Sequence, residues 1–138
     1  MKMNKAVAAV AAGIIAFGGM FSVSAAGIGY VNLNYVMSAH PKMQKAQLDM
    51  KAANQKAGES FKSRTAGKTD QEKQQIANEL EKDLQQKEQS LFQPIMNDVR
   101  KAIQQVRQEK GLDIILEQGA VVDGGVDVTS AVAQKLSK

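Results

Sequence analysis

Hydrophobic and polar residues recur with different spacings along the chain, and each spacing predicts one kind of secondary-structure element. Ile28 to Leu33 (IGYVNL) is a short apolar run bounded by Gly27 and Asn34, which is typical of a β-strand. From Pro41 onward, apolar or small residues recur three and four positions apart, which predicts a helix with a narrow seam. The seam consists of Met43, Ala46, Met50, Ala53, Ala57 and Ser60.

The helical pattern stops between Ser63 and Asp70 (SRTAGKTD), and a second helix is predicted after it. Thr69 followed three residues later by Glu72 has the spacing of a capping box. Gly111 is expected to adopt the left-handed conformation that ends this helix near Lys110, and Pro94 predicts a kink inside it. The apolar positions of the second helix are Ile76, Leu80, Leu84, Leu91, Ile95, Val99, Ile103 and Val106.

The two predicted helices are expected to form an antiparallel hairpin. About 24 and 40 residues at 1.5 Å each give lengths of roughly 35 and 60 Å. Because the second helix is longer and becomes more apolar over residues 95–110, that part is expected to pack on the rest of the domain. Only QQKEQS separates Leu84 from Leu91, so the outer part of the hairpin is predicted to be thinly apolar.

The end of the chain predicts short strands and one short helix. Gly124 and Gly125 separate the strands from the helix, and Val132 and Leu136 share a helix face. In order, the predicted elements are a strand over Leu112–Glu117, a turn at Gln118-Gly119, a strand over Ala120–Asp123, and a helix over Ser130–Leu136 capped by Thr129.

The strands and the last helix form a unit of only about 40 residues, which is too small to be stable without additional links. The sequence has no cysteine and a single histidine, so neither disulfides nor a metal cluster is expected. Short apolar strands leave edges that another subunit can pair. We therefore predict an α+β fold in which several chains complete a small β body, with a helical hairpin projecting from each.

Residues 1–26 have the order of a secretory signal peptide: a basic start, an uncharged apolar run from Ala6 to Phe21, and small residues at the end. Cleavage is predicted after Ala25 or Ala26. The alternative is an uncleaved membrane anchor, but the run is shorter than the roughly 20 apolar residues that a stable span needs. The remaining chain of about 112 residues fits one domain.

Charge and composition argue against several functions. Without Lys2 and Lys5 the formal net charge falls from +4 to +2, and export separates the protein from chromosomal DNA and RNA, so no nucleic-acid partner is expected. Ala66-Gly67-Lys68-Thr69 resembles the end of a phosphate-binding loop, but position 62 is lysine where that motif needs glycine. We therefore expect a turn between helices at this point, and no cofactor. His40 has no recognisable catalytic partners in sequence, so an enzyme is not predicted.

Specific patterns at both ends of the chain resemble the Skp/OmpH family. One runs from Leu91-Phe92-Gln93-Pro94-Ile95 to Glu109-Lys110-Gly111, followed by LDIILEQGAVVDGG, Asp127-Val128-Thr129, Val132 and Leu136; the other is IGYVNLNYVMSAHPKMQKAQ near the start. The resemblance implies a periplasmic homotrimer with three helical tentacles around a cavity, which holds unfolded outer-membrane proteins without ATP and has no catalytic residues. Residues 27–40 and 111–138 would form the body, and residues 41–110 the hairpin.

Two sets of candidate residues follow. The trimer body is expected to assemble through Ile28, Val31, Ile114, Leu116 and Val121. Clients are expected to contact the flexible or aromatic side chains of Met43, Met50 and Phe61 and the basic side chains of Lys51, Lys56, Lys62, Arg64 and Lys68. The alternatives are that the apolar residues form only the hairpin interface and that the charges form only a solvated surface. Transient contact with an anionic membrane surface is a further possibility for these charges.

A different class of function remains open from the sequence. An exported coiled coil also suits a structural spacer or scaffold of the cell envelope. A scaffold would need a long unbroken apolar seam and a second anchor. This seam is thin and no second anchor is visible, so we favour the chaperone.

Overall fold

The computed structural model describes residues 27–137, so the predicted signal peptide lies outside the described residues. Within this range, long helices and one small sheet confirm the predicted α+β class. The elements are β1 (Ile28–Val31), α1 (Leu33–Ser38), α2 (Met43–Thr65), α3 (Asp70–Glu109), β2 (Ile114–Glu117), a 3-10 turn (Gln118–Ala120), β3 (Val126–Asp127) and α4 (Thr129–Leu136).

Strand β1 ends two residues earlier than predicted because Asn32 begins a helix. The Asn32 backbone is extended, and its Oδ1 accepts a hydrogen bond from the Tyr35 backbone N–H at 2.9 Å, as an N-cap residue does. The resulting helix α1, which buries Val36, was not predicted. Six residues are too few to display a helical repeat.

The three strands form a parallel sheet in the order β2-β1-β3, so the first strand of the described residues is the central one. Ile28 lies opposite Ile114, and Gly29 lies opposite both Ile115 and Val126. A Cβ atom on Gly29 would come within 2.8 Å of the Leu112 side chain, so glycine is needed here for Leu112 to pack beneath the sheet.

The predicted strand over Ala120–Asp123 is wrong, and the third strand lies at Val126–Asp127 instead. Since β2 and β3 flank β1 on opposite sides, the intervening residues must cross β1 before pairing resumes. Gly124 and Gly125 have φ values of 83° and 85°, and a Cβ built on Gly125 would lie 3.3 Å from the Tyr30 ring. The glycines therefore belong to the crossing, and the strand follows them.

The two long helices have nearly the predicted bounds. Helix α2 begins at Met43, two residues after Pro41, and α3 spans 40 residues and continues through Pro94. The capping box is confirmed: the Glu72 N–H donates to the Thr69 hydroxyl at 3.3 Å, and the Thr69 N–H donates to the Glu72 carboxylate at 2.9 Å. Gly111 has a φ of 63°, as predicted for the residue after the helix.

One hydrophobic core joins the sheet, α1, α4 and the last turns of α3. As predicted, the late part of α3 packs on the other elements, because Val99 and Val106 are buried in the same cluster as Val31 and Val132. Thr129 is the first residue of α4 rather than its cap. Its hydroxyl accepts a hydrogen bond from the Asn32 N–H at 3.0 Å, which ties α4 to the end of β1.

Helices α2 and α3 run in opposite directions along each other. Near the start of α2, Met43 and Ala46 pack against Ile95, whereas at its end Arg64 contacts Glu79. We call α2, the turn after it and residues 70–95 of α3 the helical pair. The remaining described residues, 27–42 and 96–137, are called the body.

Candidate functional site

The apolar candidates on α2 differ in accessibility. Met43 is only 7% exposed and packs with Ala46 and Ile95, so its side chain fills the contact between the two helices and does not face solvent. Met50 is half-buried, and Phe61 is 37% exposed. Of the three, Phe61 and part of Met50 are accessible to a ligand.

A groove of about 430 Å³ lies between α2 and α3 in the middle of the helical pair. On the α2 side Ala53, Ala57 and Ser60 are too small to fill the space opposite Leu80 and Leu84, which stay half-buried. A neighbouring groove of about 560 Å³ shares Ala53 with the first. The helices therefore present open, partly apolar surface where a regular coiled coil would be filled.

The rim of these grooves carries both signs of charge. Lys56 and Lys87 line both grooves. They are accompanied by Asp49 and Glu59 in one groove and by Asp83 in the other. Lys87 and Asp83 were not among the predicted site residues, because only folding brings α3 beside α2. Asp49 and Glu59 lie on α2 and were missed because only basic and apolar side chains were considered there.

The predicted basic residues on α2 and the following turn are all exposed. They are Lys51, Lys56, Lys62, Arg64 and Lys68. Lys51 and Lys62 are three helical turns apart, so they lie on one face of α2. Arg64 donates to Glu79 at 2.6 Å, and both side chains are substantially exposed. This contact offsets one of the five positive charges, which the sequence did not indicate.

Two exposed apolar residues were missed by the sequence analysis. Leu48 is 60% exposed and Met96 is 41% exposed. Leu48 precedes Lys51 by three residues, so it lies on the same outer face of α2 as that lysine. Its position off the seam was the available signal, since a large apolar residue outside the repeat has no place in the helix contact.

Four of the five predicted trimer residues surround an exposed face of the sheet. Ile28 and Ile114 are each 45% exposed, and Leu116 and Val121 are half-buried. Val31 differs, because it is 2% exposed within the core of its own chain and does not face a neighbour. Residues 120–126 and strands β1 and β2 enclose an open cleft of about 550 Å³ on this face.

The same face contains apolar residues that the sequence did not single out. Val122 is fully exposed, and Val126 is 46% exposed. A cluster of uncovered aliphatic side chains beside a free strand edge is unusual on the surface of a monomer.

His40 is buried and has a partner that the sequence did not reveal. Its Nε2 lies 3.1 Å from Asp98 Oδ2, and its Nδ1 accepts a hydrogen bond from the Lys42 N–H at 3.1 Å. Because Nδ1 accepts, the ring hydrogen lies on Nε2 and is donated to Asp98. The pair lines a small cleft between α3 and α4.

Two carboxylates at helix starts have lowered pKa values. The backbone N–H of Thr69, and after it the hydroxyl, lowers the pKa of Glu72, and Lys68 acts in the same direction. At α4 the hydroxyl and then the backbone N–H of Thr129 lower the pKa of Asp127. Each carboxylate accepts a hydrogen bond from a backbone N–H at the start of a helix.

The described residues contain no group of three or more His, Cys, Asp or Glu side chains placed to hold a metal ion. Between residues 27 and 137, none of the helices has the length and apolarity required to cross a membrane.

The protein combines a small α+β body with a long helical pair. It therefore belongs to the class of proteins that present an extended helical surface. Residues 62–136 match the family model described as outer membrane protein (OmpH-like), and this match covers more than half of the chain. The chain therefore belongs to the OmpH-like family, which is the Skp/OmpH family of the sequence resemblance.

The matched region begins near the end of α2 and includes α3, both later strands and α4. The resemblance near the start of the chain lies outside it. OmpH-like proteins are periplasmic chaperones and not enzymes. No curated protein matches the chain.

Proposed function

We propose that the protein is an ATP-independent periplasmic chaperone that binds unfolded outer-membrane proteins and prevents their aggregation during transit. The single observation that carries this proposal is membership of the OmpH-like family. The open grooves of the helical pair support it, because they offer apolar surface beside solvated charges without a closed, shape-selective pocket. Such a surface suits many unrelated clients.

Export is part of the proposal. Cleavage after Ala25 or Ala26 would release a chain that begins just before β1. Mass spectrometry of the periplasmic protein is expected to show a first residue of Ala26 or Gly27. A full-length species in the inner membrane would contradict this.

We further propose that the body assembles as a homotrimer. The support is the exposed sheet face around Ile28, Ile114, Leu116 and Val121, together with the free outer edge of β2. Three bodies joined through these faces would carry three helical pairs as tentacles around a shared cavity. Light scattering of the mature protein at micromolar concentration should give the mass of a trimer, and a monomer would refute the assembly.

Clients are proposed to bind through two kinds of contact. Phe61, Met50 and the groove-lining leucines supply apolar contact, whose strength changes little with salt. The exposed lysines attract acidic segments or anionic membrane surfaces over a range that shortens from about 10 Å at 0.1 M salt to about 3 Å at 1 M.

The decisive experiment uses the mature chain and an unfolded β-barrel protein diluted from urea, without nucleotide. Light scattering should show that the mature chain keeps the client soluble. The Met50→Ser, Phe61→Ser double variant should bind the client about 30-fold more weakly, since each side chain contributes on the order of 1 kcal/mol of apolar contact when partly buried.

Tyr35→Ser is the control, because it removes an exposed side chain from α1 of the body, outside the helical pair. It should bind the client as the unchanged protein does. No protection by the unchanged protein under any condition would contradict the chaperone and favour the envelope scaffold.

A further inference from the structure

The described apolar core divides into two clusters where the body meets the helical pair. The body cluster reaches Val99 on α3, and the second cluster, formed by Met43, Ala46 and Ile95, begins one turn away. Met37 packs against both clusters from α1. Apolar packing therefore crosses this boundary through only a few side chains.

The boundary also contains a weak point in α3. Pro94 has no backbone N–H, so the hydrogen bond that would link it to the preceding turn is missing. A helix that lacks such a bond bends there more easily than elsewhere. Pro94 lies next to Ile95, at the root of the helical pair.

His40 lies on the body side of this boundary, in the four-residue connection between α1 and α2. Its side chain is almost wholly buried, and both ring nitrogens have partners. Nε2 donates to Asp98 on α3, and Nδ1 accepts from Lys42, the residue before α2 begins. A single ring therefore joins the start of α2 to α3, one turn from Pro94.

We propose that this His40–Asp98 bond restrains bending of the helical pair at Pro94, and that His40 is thereby a positioning residue for client binding. The positioning role rests on the proposed chaperone function. Two packed helices joined at their outer end can bend together only if one slides along the other at the root. By fixing the first residues of α2 to α3, His40 opposes that sliding.

Hydrogen bonds suit this task better than apolar contact, because they depend on direction as well as distance. The Asp98 side chain is 45% exposed, so it keeps much of its hydration while accepting the bond. The charged groups that line the cleft beside the pair are Lys101 on α3 and Lys135 on α4, and Lys135 is itself bound by Glu109. The bond to Asp98 therefore forms at a solvated edge and carries no large desolvation penalty.

The test measures bending of the helical pair at Pro94 and client capture separately. The chain has no cysteine, so Gln71→Cys at the start of α3 and Ser130→Cys on α4 can carry two labels in the mature protein. Labelled chains diluted with unlabelled chains report distances within one chain. The distance distribution measures bending, and the aggregation assay measures client capture.

His40→Ala should broaden the distance distribution, with the bent population rising about tenfold or more, as expected for the loss of a hydrogen bond to a charged group. Asp98→Asn should broaden it less, because the amide oxygen still accepts the bond without the charge. His40→Gln, whose amide can still donate to Asp98, should recover most of the narrow distribution. Asp49→Asn is the matched control for Asp98→Asn, since it removes an exposed pair with Lys45 elsewhere on α2. It should leave the distribution unchanged.

Repeating the His40→Ala measurement in a Pro94→Ala variant distinguishes restraint of bending from a general effect on stability. Restoring the backbone N–H should narrow the distribution and remove most of the effect of His40→Ala, whereas a merely structural role would leave the two effects additive. An unchanged distribution in His40→Ala would overturn the proposal. Broadening without slower client capture would overturn the positioning role. Failure of the unchanged protein to protect any client would instead count against the chaperone function, and the distance results would stand.

Discussion

The body and the helical pair are built from similar aliphatic residues but pack them differently. In the body, every helix buries at least one valine, and Val36, Val99 and Val132 are at most 1% exposed. In the helical pair, full burial is confined to the two ends: no side chain is fully buried between Ala46 and Thr65 or between Ile76 and Ile95. Side chains therefore fill the contact between α2 and α3 at both ends of the helical pair, whereas the middle of this contact is open.

This difference shows that the helical pair supplies the length of the molecule, whereas the body supplies most of its stability. A closed core gains free energy from each buried methyl group, and the body has enough of them to hold α1, α4 and the last turns of α3 together. The open middle gives up that gain and keeps apolar surface available. Substitutions should therefore have large effects on stability in the body and small effects in the pair.

The largest contrast is expected from placing a charge on two leucines, Leu116 and Leu84, that are both half-buried within one chain. In the proposed trimer, Leu116→Asp should dissociate or unfold the assembly, because burial of an unpaired carboxylate against neighbouring chains would cost several kcal/mol. Leu84→Asp in the open groove should leave the assembly intact, since that site stays hydrated. Analytical ultracentrifugation separates the outcomes, and equal behaviour of the two variants would remove the distinction between a covered face and an open groove.

A smaller contrast is expected from truncating one leucine in each region. Leu112 is 8% exposed in the body core, so Leu112→Ala should lower the free energy of unfolding by about 2 to 5 kcal/mol. Leu84→Ala should cost about 1 kcal/mol or less, because less apolar area is removed from contact. Urea titrations at one fixed protein concentration give both values. A cost at Leu84 as large as that at Leu112 would show that the middle of the pair is closed in solution.

Reversing the charges of the helical pair should alter capture with little effect on stability, because the contact that is lost, Arg64 with Glu79, is exposed. The variant that changes Lys51, Lys56, Lys62, Arg64 and Lys68 to Glu should capture an acidic client about tenfold more slowly at low salt, and the difference should vanish near 1 M salt. Reversal of Arg100 on the body-proximal part of α3 and of Lys110, the residue that follows this helix, provides the control. Equal capture rates at low salt would mean that the five charges form only a solvated surface.

The smallest effect concerns the start of α3 and depends on pH. The folded pKa of Glu72 is lowered, so its contribution to stability is present above its unfolded pKa near 4.5 and is lost as pH falls through the folded pKa. Thr69→Ala should cost about 1 kcal/mol at neutral pH and should flatten this acid dependence. Thermal unfolding between pH 6 and pH 3 tests this expectation, and an acid dependence unchanged by Thr69→Ala would contradict it.

The long elements could be predicted because their signals are local. The capping box at Thr69 and Glu72, the left-handed Gly111 and the rising apolar density before it lie within the segments that they define. The third strand could not be placed in this way. Its position depends on pairing with Gly29 and Tyr30, which belong to the other end of the described chain.

The candidate site residues also divide into those with local signals and those that depend on contacts distant in sequence. Exposure of the lysines follows from charge alone. The contacts of Arg64 with Glu79 and of His40 with Asp98 form only because α3 lies beside residues that are far away in sequence. Met43 shows the opposite problem. Its side chain is equally suited to client contact and to helix packing, and only the position of Ile95 decides that it is buried.

The central position of β1 sets the order in which the molecule can fold. This strand is made first, yet both of its neighbours come from the last part of the chain, and the whole helical pair lies between them. The contacts within α2 and α3 are local and can form within microseconds, while the sheet must wait for a long loop to close. During folding, the helices can therefore form before the sheet, and the protein itself passes through a stage with an unpaired apolar strand. In that interval it has the same vulnerability to aggregation as the chains that we propose it protects.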